Sequence, residues 1–325
     1  MTKPTLYAIF SHINPQQVIR LACTVRALSP TAHIVVHHDP GHPPIDARQL
    51  ELAGAHLIPD PVAGEWGDFS QVQQHLHVMR WCRNNLDFEW FITLTGQTYP
   101  IKPLAEFESM LAVAPHDAFV EHFDAYNPAI WPLGEAVRRY HYRFVTLPKF
   151  RYWHRVPAFV RVAVPRLFRA FNASQPLFRI FTYPKGLRTR LGILTPHRPF
   201  GGDGLRLIGA NQNTNYRRNA IEYMLDYVDA HPAYLEYFRR TALPDEAFFA
   251  TALCSSPTLR VSNDNLRFIH WPGPQAASGG VLTRDQLPEL EASQAWFALK
   301  FDERVCPEVL DALDQRLGLP MTRYS

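Results

Sequence analysis

Along the first third of the chain, short apolar runs alternate with longer segments of helical period. "TLYAIF" (5–10), "HIVVHH" (33–38) and "AHLI" (55–58) read as strands. "PQQVIRLACTVRAL" (15–28) carries Val18, Leu21, Ala22, Val25 and Leu28 at helical spacing. "SQVQQHLHVMRWCRN" (70–84) predicts a second helix with Ser70 as its N-cap. "EWFITL" (89–94) predicts a buried strand running into Gly96, "LAEFESMLAVA" (104–114) a helix and "AFVEHF" (118–123) a strand. Such alternation argues for an α/β fold with a mostly parallel sheet covered on both faces and ligands at the carboxyl ends of its strands. The pattern returns in "NAIEYMLDYVDA" (219–230), "LPDEAFFATAL" (243–253) and "LRFIHW" (266–271), with no internal repeat.

Between Arg138 and Arg198 the pattern changes. This stretch holds 14 of the chain's 33 Lys and Arg, no Asp or Glu, and prolines at 148, 157, 165, 176, 184 and 196. "PAFVRVAVPRLFRAF" (157–171) suits an amphipathic helix or a surface-lying segment. The positive field favours an anionic partner: phosphate, phospholipid or nucleic acid. Two readings stay open: docking on anionic lipid at the cytoplasmic face, or a solvated or acceptor-facing subdomain. A nucleic-acid-binding module would use the aromatics Phe150, Tyr152 and Trp153. It would leave unexplained an α/β body whose charge is nearly balanced elsewhere, so no nucleic acid is expected.

Composition adds bounds. At 325 residues, 46% hydrophobic and 13% aromatic, the chain is globular and reads as one domain over 1–325, with the basic insertion at about 138–198. The net charge is only +3. Cys23, Cys82, Cys254 and Cys306 are scattered, which predicts free thiols in a reducing compartment. Neither an eighteen-residue apolar run nor a signal-peptide pattern is present, so a cytoplasmic protein is expected, peripheral at the inner membrane face if the lipid reading holds.

Candidate chemistry centres on "PDE". Pro244 suits a first helical position, and Asp245 and Glu246 then fall in the first turn, where acids are favoured. Capping is the plain explanation. However, the following residues, Ala247 to Leu253, are apolar nearly all round and predict a buried helix. Two carboxylates opening a buried helix cost desolvation unless they face a polar cleft, and a desolvated Glu acquires the raised pKa of a general base. Asp39, in "HHDP" (37–40) at a strand end, suits a ribose or base contact or a turn cap; the neighbouring His37 and His38 point to opposite faces. Gly96 fits close approach by a ligand or an ordinary turn. Lys300, in "WFALKFD" (296–302), reads either as a surface salt bridge with Asp302 or Glu303 or as a fixed cation against a phosphate. There is no GxGxxG, no GxxxxGK[ST] and no DxD.

In this order the motifs resemble the core-2/I-branching β-1,6-N-acetylglucosaminyltransferase and peptide O-xylosyltransferase family. The resemblance rests on His37-His38-Asp39, on Trp66 to Val72 (a WG-x-x-S-x-V pattern), and on "LTGQTYPIK" (94–102). "PDE" (244–246), "LRFIHW" (266–271) and "FALKFD" (297–302) complete it. It implies a GT-A type fold with a Rossmann-like sheet and inverting transfer of a sugar, GlcNAc or xylose, from a UDP-sugar to a saccharide or glycolipid hydroxyl, without a metal. It also implies roles: Glu246 as catalytic base with Asp245 supporting it, Lys300 and Arg284 on the donor diphosphate, Asp39 and Trp66 at the donor nucleotide, and Trp271 against an acceptor sugar. The chain departs from the family pattern at Thr98, where an acid is expected, and at Leu205 of "FGGDGL" (200–205), where a Trp is expected. Ungapped alignment puts Ala277 where the family's diphosphate-binding Arg stands, with Arg284 nearby as the candidate in its place. These departures leave room for an inactive glycan- or nucleotide-sugar-binding relative.

Overall fold

A computed structural model describes residues 3–147, 155–182, 189–195, 205–273 and 279–320; Phe150, Tyr152, Trp153, Ala277 and most of "FGGDGL" lie outside these. At its centre is a seven-stranded sheet. Its strands are β1 (Thr5–Ser11), β2 (His33–His38), β3 (Ala55–Leu57), β4 (Trp90–Thr95), β5 (Ala118–Phe119), β6 (Asn215–Arg217) and β7 (Val261–Ser262). They lie in the order β3-β2-β1-β4-β6-β5-β7. All neighbours are parallel except the two pairs made by β6, which is antiparallel to β4 and β5. The fold is α/β, with a mostly parallel sheet.

Period-two alternation divides the core between the two faces of this sheet. Leu6, Ala8, Val35 and Phe91 pack on one side, with Val72, Leu76 and Met79 of the helix Phe69–Asn85. Tyr7, Ile9, Ile34, Val36 and Ile92 pack on the other, with Val18, Leu21, Ala22 and Val25 of the helix Pro15–Leu28. Both faces are dry, which is why β1 and β2 read as continuous apolar runs. The chain lays down β2 and β3 on one side of β1, then returns to place β4 on the other. That reversal is a topological switch point at the carboxyl ends of β1 and β4, the place where open α/β sheets leave a ligand crevice.

Two local expectations need correction. The helix expected from Ser70 starts at Phe69, and Asp68 is its cap: the Asp68 carboxylate accepts the Ser70 N–H at 3.0 Å. Asp is as good a cap as Ser. The Ser70 hydroxyl instead accepts the Glu65 N–H at 2.9 Å and draws the Trp66 loop onto the helix. The strand expected over 118–123 divides into β5 and a separate strand, His122–Asp124, which pairs with Ile208–Ala210 in another sheet. Its partner changes at Val120, whose N–H still reaches Ser262 O at 3.0 Å.

The basic segment forms a lobe of its own elements. Tyr142–Thr146, Phe178–Thr182 and Thr189–Leu194 make an antiparallel sheet with the last strand in the middle, and a long helix, Ala158–Ser174, accompanies it. The lobe is pinned to the body through Arg190, whose buried guanidinium donates to Thr241 O at 2.7 Å and lies 5.4 Å from the Phe144 ring. Nearer the C-terminus, Arg267–Ile269 and Phe297–Leu299 run parallel, with Thr98–Pro100 antiparallel on the outer side of the latter. All four cysteines are free. Among the described residues no helix is long and apolar enough to cross a membrane.

Candidate functional site

The crevice beside β1 gathers four polar groups. His12 follows β1, and its ring lies 5.1 Å from that of His42. Burial holds the His12 pKa below its ordinary value, with His42 next in effect, Asp39 opposing and Lys300 adding to the depression. His12 therefore lies near Lys300 and near Asp39 and His42 of one loop, although that loop and Lys300 are far apart in the chain.

Lys300 follows the strand Phe297–Leu299, and its backbone is fixed from several sides. Leu282 N–H donates to Lys300 O at 2.8 Å, and Phe301 N–H donates to Gln97 O at 2.8 Å. The buried Gln17 amide donates to Gly96 O at 2.8 Å and to Phe301 O at 3.0 Å, clamping this segment to the end of β4. The alternative of a surface salt bridge is not what forms. Asp302 is taken by Arg304 at 2.7 Å and Asn14 at 2.9 Å; the Arg304 contact leads in holding its carboxyl down at about 2. Among the described residues Lys300 makes no ion pair. Gly96 serves packing: a side chain there would meet Val18 Cγ2 at 3.0 Å and Ser11 Cβ at 3.1 Å.

The other expected donor and acceptor residues lie as follows. Ile269 is in register with Leu299, so Trp271, 55% exposed, leaves its strand at the same end as Lys300. Arg284 is exposed and opens a 3-10 turn two residues beyond Leu282, the partner of Lys300. Asp39 is buried and its oxygens are already in use: Oδ1 accepts from Gly41 N–H at 2.8 Å, and Oδ2 from Gly64 N–H at 2.7 Å and Gln74 Nε2 at 3.2 Å. Its first role is to hold the loop that carries Trp66, which is 54% exposed. Thr98, buried, closes the turn after β4 by accepting the Thr95 N–H at 3.0 Å. Leu205 is partly buried against the core.

The same loop reaches the carboxylate pair. Gly67, at φ 70, a conformation glycine adopts without strain, offers its carbonyl to Leu243 N–H at 3.0 Å. Leu243 is itself left-handed at φ 51, unusual for a bulky residue, and its carbonyl accepts the Tyr140 hydroxyl at 2.9 Å. Pro244, Asp245 and Glu246 then form a single 3-10 turn, ahead of a buried helix, Phe248–Cys254. Pro244 takes the first position, as expected. Asp245 does not cap this turn or the helix. Leu243 and Ala247 occupy the cap positions, without side-chain hydrogen bonds. The Asp245 carboxyl turns inward instead, because the chain enters the turn from a left-handed residue. It borders a small cavity with His75, Asn211, Thr214, Tyr216 and Phe249. Among the described residues its Oδ1 has no hydrogen-bond partner.

Glu246 points elsewhere and is half-buried. Its Oε2 is gripped by Nη1 of Arg139, whose Nε holds Glu135 at 2.7 Å and whose guanidinium stacks 4.5 Å from the Trp131 ring. Burial raises the Glu246 pKa and Arg139 works against it. Burial, then the charge of Glu246, pushes Asp245 up to about 8. Burial thus holds Asp245 toward its protonated form, while Arg139 favours the ionised form of Glu246. His75 stacks on Phe10 with ring centroids 4.0 Å apart, and desolvation depresses it to about 4, so it is neutral there.

His12, His42 and Arg139 are the residues that sequence reasoning missed. Arg139 carried one legible signal, its i,i+4 spacing from Glu135. Its contact with Glu246 spans 107 positions and had none. No protein-family model and no curated protein matches this chain. The family resemblance rests on its motifs.

Proposed function

We propose that this chain is an inverting glycosyltransferase of GT-A type that acts without a metal and moves a sugar from a UDP-sugar to a saccharide hydroxyl. The observation that carries this reading is Lys300: a cation held rigidly by its backbone, without an ion pair among the described residues, at the strand-end crevice. A preorganised ammonium there is suited to charge that develops on a leaving diphosphate. The motif order and the parallel sheet support the same reading.

In the proposed reaction the acceptor O–H gives its proton to the Glu246 carboxylate as the oxygen bonds to the anomeric carbon. The bond from that carbon to the UDP oxygen breaks, and its electron pair leaves on the diphosphate, against Lys300 and Arg284. Arg139 keeps Glu246 ionised, which a base requires before it can accept a proton. Asp39 serves the donor by fixing the Trp66 loop, and Trp271 offers an aromatic face to an acceptor sugar.

One observation favours a second reading. Arg139 already neutralises Glu246, as in a binding protein that has no use for a free base, and Thr98 and Leu205 depart from the family pattern. The two readings part on one measurement. A transferase releases UDP from a UDP-sugar when acceptor is present; a nucleotide-sugar-binding relative takes up the donor, seen by calorimetry, and releases none. Absence of both UDP binding and UDP release would sink the glycosyl-transfer reading.

A further inference from the structure

The helix Ala158–Ser174 contains no buried residue in its 17 positions. Val160, Val164, Phe168 and Asn172, four residues apart, are partly covered and form its inner face. There Asn172 is tied to Ile180 by two hydrogen bonds of 2.8 Å. On the outward side stand Phe159, 74% exposed, and Val162, 52% exposed, with Ala163 and Ala170, while Leu167, 65% exposed, lies on the flank. Arg166 stands between Phe159 and Val162 on the outward side and Arg169 at its edge, while Arg161 lies toward the inner side; all three are exposed. Leu177, Phe178 and Ile193 of the same lobe are exposed as well. Apolar side chains gathered on one exposed element mark a contact surface.

The charge of the lobe selects the occupant. Its segment, 138 to 198, holds 14 Lys and Arg and no acid. Glu135, just before it, and Glu246, which contacts its start, are engaged by Arg138 and Arg139. A second copy of this surface would set like charge against like charge. A nucleic acid meets the charge but offers no apolar bed for Phe159, Val162 and Leu167. A bilayer with anionic headgroups meets both demands: arginines at the phosphates, Phe159 and Val162 at the acyl boundary.

We propose that the helix Ala158–Ser174 is an interfacial docking arm that lays the protein on an anionic lipid bilayer, with Phe159 and Val162 inserted and Arg166 and Arg169 at the headgroups. This stands apart from the glycosyl-transfer reading and holds or fails without it.

The test uses the full chain and sedimentation with vesicles of phosphatidylcholine alone or mixed with phosphatidylglycerol. The mixed vesicles carry the protein down at low salt, high salt releases it, and phosphatidylcholine alone does not bind it. Two surface variants, Phe159→Ser with Val162→Ser, and Arg166→Gln with Arg169→Gln, each lower the partition at least about 10-fold. Their unchanged circular dichroism and melting temperature show that folding is intact. Failure to sediment with the mixed vesicles overturns the proposal, as does a partition that neither variant changes. Duplex DNA binding or self-association in place of vesicle binding, abolished by these same variants, assigns the surface to that partner and overturns it too.

Discussion

Arg139 holds the carboxylate of Glu246 across 107 positions of chain, and its own position depends on Glu135 at 2.7 Å and on the Trp131 ring 4.5 Å away. A residue at the start of the basic segment therefore favours the ionised form of the candidate base against burial. Replacing Arg139 with Met removes the group that opposes burial, so the Glu246 pKa rises further. The acid limb of a pH–rate profile then moves to higher pH. Leaving a half-buried carboxylate unpaired costs about 2 kcal/mol of stability. Titration of turnover, with a thermal melt, checks both; an unmoved acid limb removes Arg139 from control of the base.

Glu246→Gln keeps the shape of the side chain and loses the proton acceptor. We expect an intact fold, unchanged UDP affinity and turnover reduced by roughly 10²-fold or more. Retention of most activity with normal folding would rule Glu246 out as the base.

Asp245 gives a signature that needs no substrate. Its pKa rises from an ordinary 3.8 to about 8 in the folded protein. Folding then takes up a proton over that range: stability from this group is complete below pH 4 and is lost as pH rises through 8. The slope is at most about 1.4 kcal/mol per pH unit. Asp245→Asn is neutral throughout, so its melting temperature declines less than the wild type's between those limits. Parallel curves for the two proteins would mean that Asp245 is ionised in the native state.

Lys300→Ala tests the other half of the site by two independent readouts. UDP binding measured by calorimetry weakens, by about 10-fold or more, and added Mn²⁺ does not restore it. Restoration by Mn²⁺ would disclose a metal site and end the metal-independent reading. Separately, His12 loses a neighbouring cation, so its pKa, followed by NMR, moves up toward the ordinary 6.5. A motionless His12 would place the ammonium outside the crevice.

Asp39→Ala removes the acceptor shared by Gly41, Gly64 and Gln74. Destabilisation of about 2 kcal/mol is expected, with faster proteolysis of the Trp66 loop. Loss of nucleotide binding without either change would make Asp39 a direct ligand contact instead.

The sequence alone determined the α/β class, the first helix with its boundaries at 15–28, and the buried helix behind "PDE". These depend on interactions within a few residues: apolar period, Pro at a helix start and the burial that an all-apolar helix demands. It also set Pro244 at the head of its turn, while leaving the direction of Asp245 undetermined. Only tertiary structure decided that the two adjacent carboxylates part company, one into a cavity and one onto Arg139, because a left-handed Leu243 rotates the turn. The clustering of His12, Asp39, His42 and Lys300 was likewise invisible, since it follows from the order in which the strands lie side by side. Charge–charge coupling depends on distance in space, and a linear pattern records only distance along the chain.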